Sequence, residues 1–110
     1  MQKPQELVQG TLDLLILRSL EAGSLHGVGL AERIHRRSEG VFVVKAGSLF
    51  PALHRLERKE WIVGQWGETD SGHRARFYEL TRAGRAQLVE AKKNFRRLFG
   101  ALHRVVEGEG

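Results

Sequence analysis

The run Gly47-Ser48-Leu49-Phe50-Pro51-Ala52-Leu53-His54-Arg55-Leu56-Glu57-Arg58 holds the side chains of this sequence best suited to chemistry. At helical spacing, Leu49, Ala52, Leu53 and Leu56 share one side, and Gly47, Ser48, Pro51, His54, Arg55 and Arg58 share the other. Such a helix rests its apolar side on a core and offers a small, polar, cationic side to an anion. Its dimensions suit the major groove of a nucleic-acid duplex. Arg55 is the leading base reader by type, because a guanidinium can donate two bonds to a guanine edge. Ser48 and His54 can reach bases or phosphates, and Arg58, further back, suits a phosphate. Phe50, between the two sides, either touches a sugar or thymine methyl or finishes the core.

A second basic cluster follows. Trp61 to Trp66 and Arg74 to Leu80 read as two strands, with Asp70-Ser71-Gly72 as the turn signal between them. Arg74 and Arg76 alternate with Ala75 and Phe77, so the cations point to the face opposite Phe77. That face fits a phosphate backbone or a narrow minor groove. Glu68 and Asp70 lower the charge at the apex, which places the expected contact at His73 to Arg76. The loop is longer than a tight turn and is expected to be mobile without a partner. Arg33, Arg36 and Arg37 are further phosphate candidates.

Enzyme chemistry finds no foothold. The chain has no cysteine, no H-E-x-x-H, no phosphate-cradling glycine loop with lysine and no Gly-x-Ser-x-Gly, and its five histidines are scattered. No catalytic residue, metal ligand or cofactor is expected. Eighteen Lys and Arg against 13 Asp and Glu give a formal charge of +5, which favours a polyanionic partner. The 110 residues, 41% hydrophobic, suffice for one folded domain or a small domain plus an arm. No apolar run approaches the roughly 20 residues of a membrane span. The first residues lack the apolar middle of a secretory signal. A cytoplasmic protein is the expectation.

Four helices and a hairpin must position these residues. Residues 1 to about 6 read as a loose arm. A first helix over 10–22 carries apolar side chains nearly all round, which predicts burial on more than one side and contact with a second subunit. A second helix runs from His26 or Gly27 to Arg37 and closes at Ser38-Glu39-Gly40, Gly40 suiting the left-handed cap. Val41 to Val44 is extended. Pro51 is tolerated if the third helix starts near Gly47 or Ser48, within whose first turn its missing N–H costs little. Thr81 caps the last helix. In that helix Gly84, Leu88, Ala91, Phe95, Leu98, Leu102 and Val105 alternate by four and three residues, the seam of a helix pair. Leu14 and Leu17 of the first helix are expected to join that dimer interface. The fold class is mainly α (α+β): a winged helix-turn-helix over 1–81 with a long dimerisation helix over 82–110.

Four blocks carry a family resemblance: Gly10-Thr11-Leu12-Asp13-Leu14-Leu15-Ile16-Leu17, His26-Gly27-Val28-Gly29, Gly47 to Glu57, and Arg76-Phe77-Tyr78-Glu79-Leu80-Thr81-Arg82-Ala83-Gly84. Together they resemble the PadR family of bacterial transcription regulators over roughly residues 7–100. The Gly-Ser-Leu-aromatic-Pro and Tyr-x-Leu-Thr-x-x-Gly blocks are the specific ones. The resemblance implies a homodimeric DNA-binding repressor on a palindromic operator, in the subgroup with one C-terminal helix. Some members are released by a small effector such as a phenolic acid or a cationic drug. Two departures bear on this. Phe50 stands where the family usually has Tyr, removing a hydroxyl contact. Phe95 and Phe99 stand where drug-binding members carry Trp and an acidic residue, so an effector site there is aromatic without that acid. The residues alone leave a second reading, a winged-helix module meeting an acidic protein. A third, non-specific RNA binding, lacks an aromatic stacking platform.

Overall fold

Leu12, Ile16, Leu17 and Leu20 recur at helical spacing, and in the computed structural model, which describes residues 9–110, all four are buried. They belong to helix α1 (Gln9–Ser19) and the turn that follows it. Next come a two-residue strand β1 (Leu25–His26), α2 (Gly27–Arg37), α3 (Ala46–Arg58), the hairpin β2 (Ile62–Glu68) and β3 (Arg74–Leu80), and α4 (Arg82–Glu107). The three strands form an antiparallel sheet in the order β1-β3-β2. The loose arm expected over residues 1–6 lies outside the described residues.

Helices α2, α3 and α4 all pack against α1, which is the central rod of the domain. This corrects the expectation drawn from its apolar girth. Leu17 is buried in the chain's own core, and Leu14 and Leu15 are half-buried against it, so α1 does not itself demand a second subunit. From α3 the core takes Leu49, Ala52, Leu53 and Leu56, from α2 Leu30 and Ile34, and from the sheet Ile62, Tyr78 and Leu80.

Local chemistry sets the element ends. α1 stops at Ser19, earlier than residue 22, because the chain turns over Leu20 to Gly23. Arg33 of α2 donates to the Ser19 carbonyl at 3.2 Å, so it caps α1 and is not a free phosphate ligand. His26, extended at the head of α2, also pairs with Phe77 in the sheet, a strand that the sequence pattern did not reveal. At the end of α2 the left-handed residue is already Glu39 (φ 55°), with Gly40 (φ 84°) following. Their N–H groups bond the carbonyls of Arg36 and His35. α3 begins at Ala46, which puts Pro51 in the second turn and removes the bond to the Gly47 carbonyl.

The entry to α4 is tightly built. Thr81 Oγ1 accepts from the Gly84 N–H at 3.0 Å and donates to the Glu60 carbonyl at 2.6 Å. The Thr81 N–H reaches the Trp61 carbonyl at 3.0 Å, and that carbonyl lies against Gly84 where a Cβ would overlap it. Only glycine lets the helix approach the α3–β2 turn so closely. Gly84→Ala is therefore expected to destabilise the fold by about 3 kcal/mol or more, read as a lower urea midpoint.

Candidate nucleic-acid interface

Helix geometry divides α3 into four strips. Leu49, Ala52, Leu53 and Leu56 face inward, while Gly47, Ser48, Pro51, His54 and Arg58 are exposed. The strips between them carry Arg55 on one flank and Glu57 on the other, and each flank is bound to a neighbouring element.

On the first flank, Arg55 Nη2 donates to Asp13 Oδ1 of α1 at 2.5 Å. Both side chains are largely buried, and Arg55 Nε is enclosed without a hydrogen-bond partner among the described residues. This corrects the expectation that Arg55 leads base reading. The guanidinium turns inward to a carboxylate on the central rod and does not lie along the exposed strip. Asp13 drew no attention in the sequence, although a lone acid inside an apolar helix is the signal of a buried partner.

On the second flank, Arg76 Nη2 of β3 donates to Glu57 Oε2 at 2.7 Å. That hydrogen bond and the carboxylate's charge hold the guanidinium above its ordinary pKa. Burial, then the Glu57 charge, raises the Tyr78 phenol beside them. Gly64 of β2 makes the crossing possible, since a Cβ there would sit 2.5 Å from Arg76 Nε. Arg76, expected to meet phosphate, is thus already matched by an acid and fastens the hairpin to α3.

The remaining basic side chains are open. Arg58 and Arg74 are exposed and form no ion pair among the described residues. His73 is exposed, with Nδ1 3.0 Å from Ser71 Oγ. The tip is internally bonded, Thr69 N–H to the His73 carbonyl at 2.8 Å and Gly72 N–H to the Thr69 carbonyl at 2.9 Å, so it holds its own shape. Phe50 is half-exposed with its ring over Gly27, where a Cβ would approach to 3.0 Å. One exposed side chain beside these residues was not singled out in the sequence: Trp66, on β2 directly opposite Arg76, with Arg74 over its ring at 4.9 Å. Its place in a strand facing two arginines was the available signal.

Behind this surface α4 leaves the domain. Gly84 and Leu88 are buried within the chain, Leu88 to 2% exposure, so Leu88 is core and not seam, a second correction beside Leu17. Beyond Ala91 the stripe emerges: Phe95, Leu98, Leu102 and Val105 are exposed, joined by Phe99 and Val106. A groove of about 690 Å³ lies between α1 and α4, lined by Asp13, Leu14, Trp61, Ala91, Phe95 and Leu98 among others. Phe95 belongs to the groove wall, whereas Phe99 does not line it; the two ring centroids are 5.7 Å apart. No helix among the described residues is long and apolar enough to cross a membrane.

The Asp13–Arg55 pair is expected to behave as a unit. Removing either partner leaves the other unmatched, so Asp13→Ala or Arg55→Ala should each cost about 1–3 kcal/mol in urea denaturation. The double variant should lose clearly less than the sum of the two.

Comparison with known proteins places the geometry. The sequence profile of the Transcriptional regulator PadR-like family matches residues 16–90. The chain is 33% identical over 89 residues to "Transcriptional regulator Rv3488" of Mycobacterium tuberculosis, covering 81% of this chain and 79% of that protein. A transcriptional regulator from Clostridium thermocellum superposes with a TM-score of 0.81 at 23% identity, over 90% of this chain and 96% of that one. Bacillus subtilis PadR, solved in complex with operator DNA, superposes with a TM-score of 0.64 at 22% identity, over 72% of this chain and 45% of that one. The profile match spans most of the sequence, so the chain belongs to the PadR-like family of transcriptional regulators.

Proposed function

We propose that this chain acts in the cytoplasm as a homodimeric repressor that binds a palindromic operator in double-stranded DNA. The observation that carries the reading is the exposed strip of α3, Gly47, Ser48, Pro51, His54 and Arg58, standing beside a hairpin whose Arg74 forms no ion pair among the described residues. In this arrangement Ser48 and His54 read base edges, Phe50 and Pro51 contribute apolar contact, and Arg58, His73 and Arg74 meet phosphates. Arg55 and Arg76 act indirectly, by holding the strip in place. A structural neighbour, Bacillus subtilis PadR, was solved in complex with operator DNA, which supports the reading that this chain binds DNA.

The partner copy follows from the apolar stripe. Ala91, Phe95, Leu98, Leu102 and Val105 run down a helix of 26 residues, about 39 Å long, whose distal apolar side chains are left exposed by the described residues of the chain. Two such helices pack along the stripe, with Leu14 at the margin of the groove. Pairing presents two α3 helices to successive turns of one duplex, which is why the operator is a palindrome. The groove suits a small aromatic effector against Phe95 and Trp61. A ligand there would also meet Asp13, the acid that holds Arg55 on α3, which gives a path from effector to DNA surface.

The test is selection of bound fragments from a genomic pool by the intact protein and by Leu98→Glu. The intact protein should sediment as a dimer and recover an inverted repeat. The variant should be monomeric and bind the same repeat at least about 10-fold more weakly. Recovery of no sequence above background by a well-folded dimer would reject the reading.

A further inference from the structure

Trp66 is 59% exposed and lies outside the hydrophobic core, on the edge strand of the sheet. A large apolar ring left in water on a narrow hairpin calls for a use. Arg76 sits directly opposite it in the ladder and Arg74 two residues nearer the tip, so all three share one face. Both guanidinium groups approach the indole, Arg74 at 4.9 Å and Arg76 at 6.0 Å from the ring centroid. Their situations differ. Arg76 is committed to Glu57, whereas Arg74 forms no ion pair among the described residues, even with Glu68, its own ladder partner. The Arg74 guanidinium lies instead over the indole face.

We propose that Trp66 is a positioning residue for DNA binding: its indole face holds the Arg74 guanidinium ready for a backbone phosphate beside the operator groove. Stacking occupies only the flat face of a guanidinium and leaves its N–H donors, which point outward in the plane, free for phosphate oxygens. Fixing a free arginine side chain costs rotamer entropy, and part of that ordering is already present in its contact with the ring. The Arg76–Glu57 bond fastens the same face of the hairpin to α3, so the held cation keeps a set distance from the recognition helix. The assignment rests on the DNA-binding reading above and adds a residue to its wing.

The experiment uses the intact chain and two duplexes, one selected by the wild type from a random-sequence pool and one unrelated of equal length, titrated between about 50 and 200 mM salt. Arg74→Ala should weaken both duplexes by a similar factor and lower the slope of log affinity against log salt by about 1. Trp66→Ala should weaken both by roughly 2- to 5-fold while keeping the wild-type slope, because every charge is retained. Trp66→Phe should keep most of the affinity. In an Arg74→Ala background, Trp66→Ala should change little further. Since the ring is exposed, an unchanged thermal midpoint verifies that each variant is folded. Trp66→Ala binding as tightly as wild type, or losing as much affinity without Arg74 as with it, overturns the assignment. A wild-type protein that ignores every duplex at low salt rejects the DNA reading itself, and the assignment with it.

Discussion

Asp13 and Arg55 set the position of α3. α3 could rest on its apolar strip in several rotations, because Leu49, Ala52, Leu53 and Leu56 supply burial without direction. A carboxylate on the central rod and a guanidinium on the flank of α3, both withdrawn from water, remove that freedom. Desolvating two charges offsets much of their attraction, so such a pair adds less to stability than a well-packed apolar contact of the same size. Its contribution is a rotational setting. With Arg55 turned inward, Ser48, Pro51, His54 and Arg58 face outward.

The hairpin repeats the device from the other side. Arg76 and Glu57 join β3 to α3, and Gly64 leaves the space through which the arginine crosses. α3 is thus held at both flanks by ion pairs of opposite polarity: a basic residue of the helix to an acid on α1, and an acidic residue to a base on the sheet. The consequence for charge is selective. Of the basic residues around the site, Arg55 and Arg76 are internally matched and serve as struts, whereas Arg58 and Arg74 form no ion pair among the described residues.

α4 performs two tasks along one periodicity. Its first turns, fixed by the Thr81 cap and the close approach of Gly84 to Trp61, belong to the domain through Leu88. Further on, the same four-and-three spacing continues into open space, where Val105 is 83% exposed. The groove between α4 and α1 begins where the first role ends, with Asp13 among its lining residues. The apolar stripe and the α3 ion pair are therefore neighbours across one groove.

Much was legible in the order of residues alone: the helix over Gly47 to Arg58, the two long strands, the Thr81 cap, the long last helix and the family to which the blocks belong. These follow from periodicity, turn chemistry and capping, which act over a few neighbouring residues and leave their mark in local spacing. Which cations are free was not legible, because Arg55 and Arg58, or Arg74 and Arg76, are the same residue type in the same local pattern. Their difference comes from Asp13, 42 positions away in the chain, and from Glu57, 19 positions from Arg76. The division of the last helix at Leu88 has the same origin, since nothing in a heptad states where its own domain stops covering it. Contacts between distant parts of the chain exist only once the backbone has folded, and it was those contacts that assigned each charge and each apolar side chain its partner.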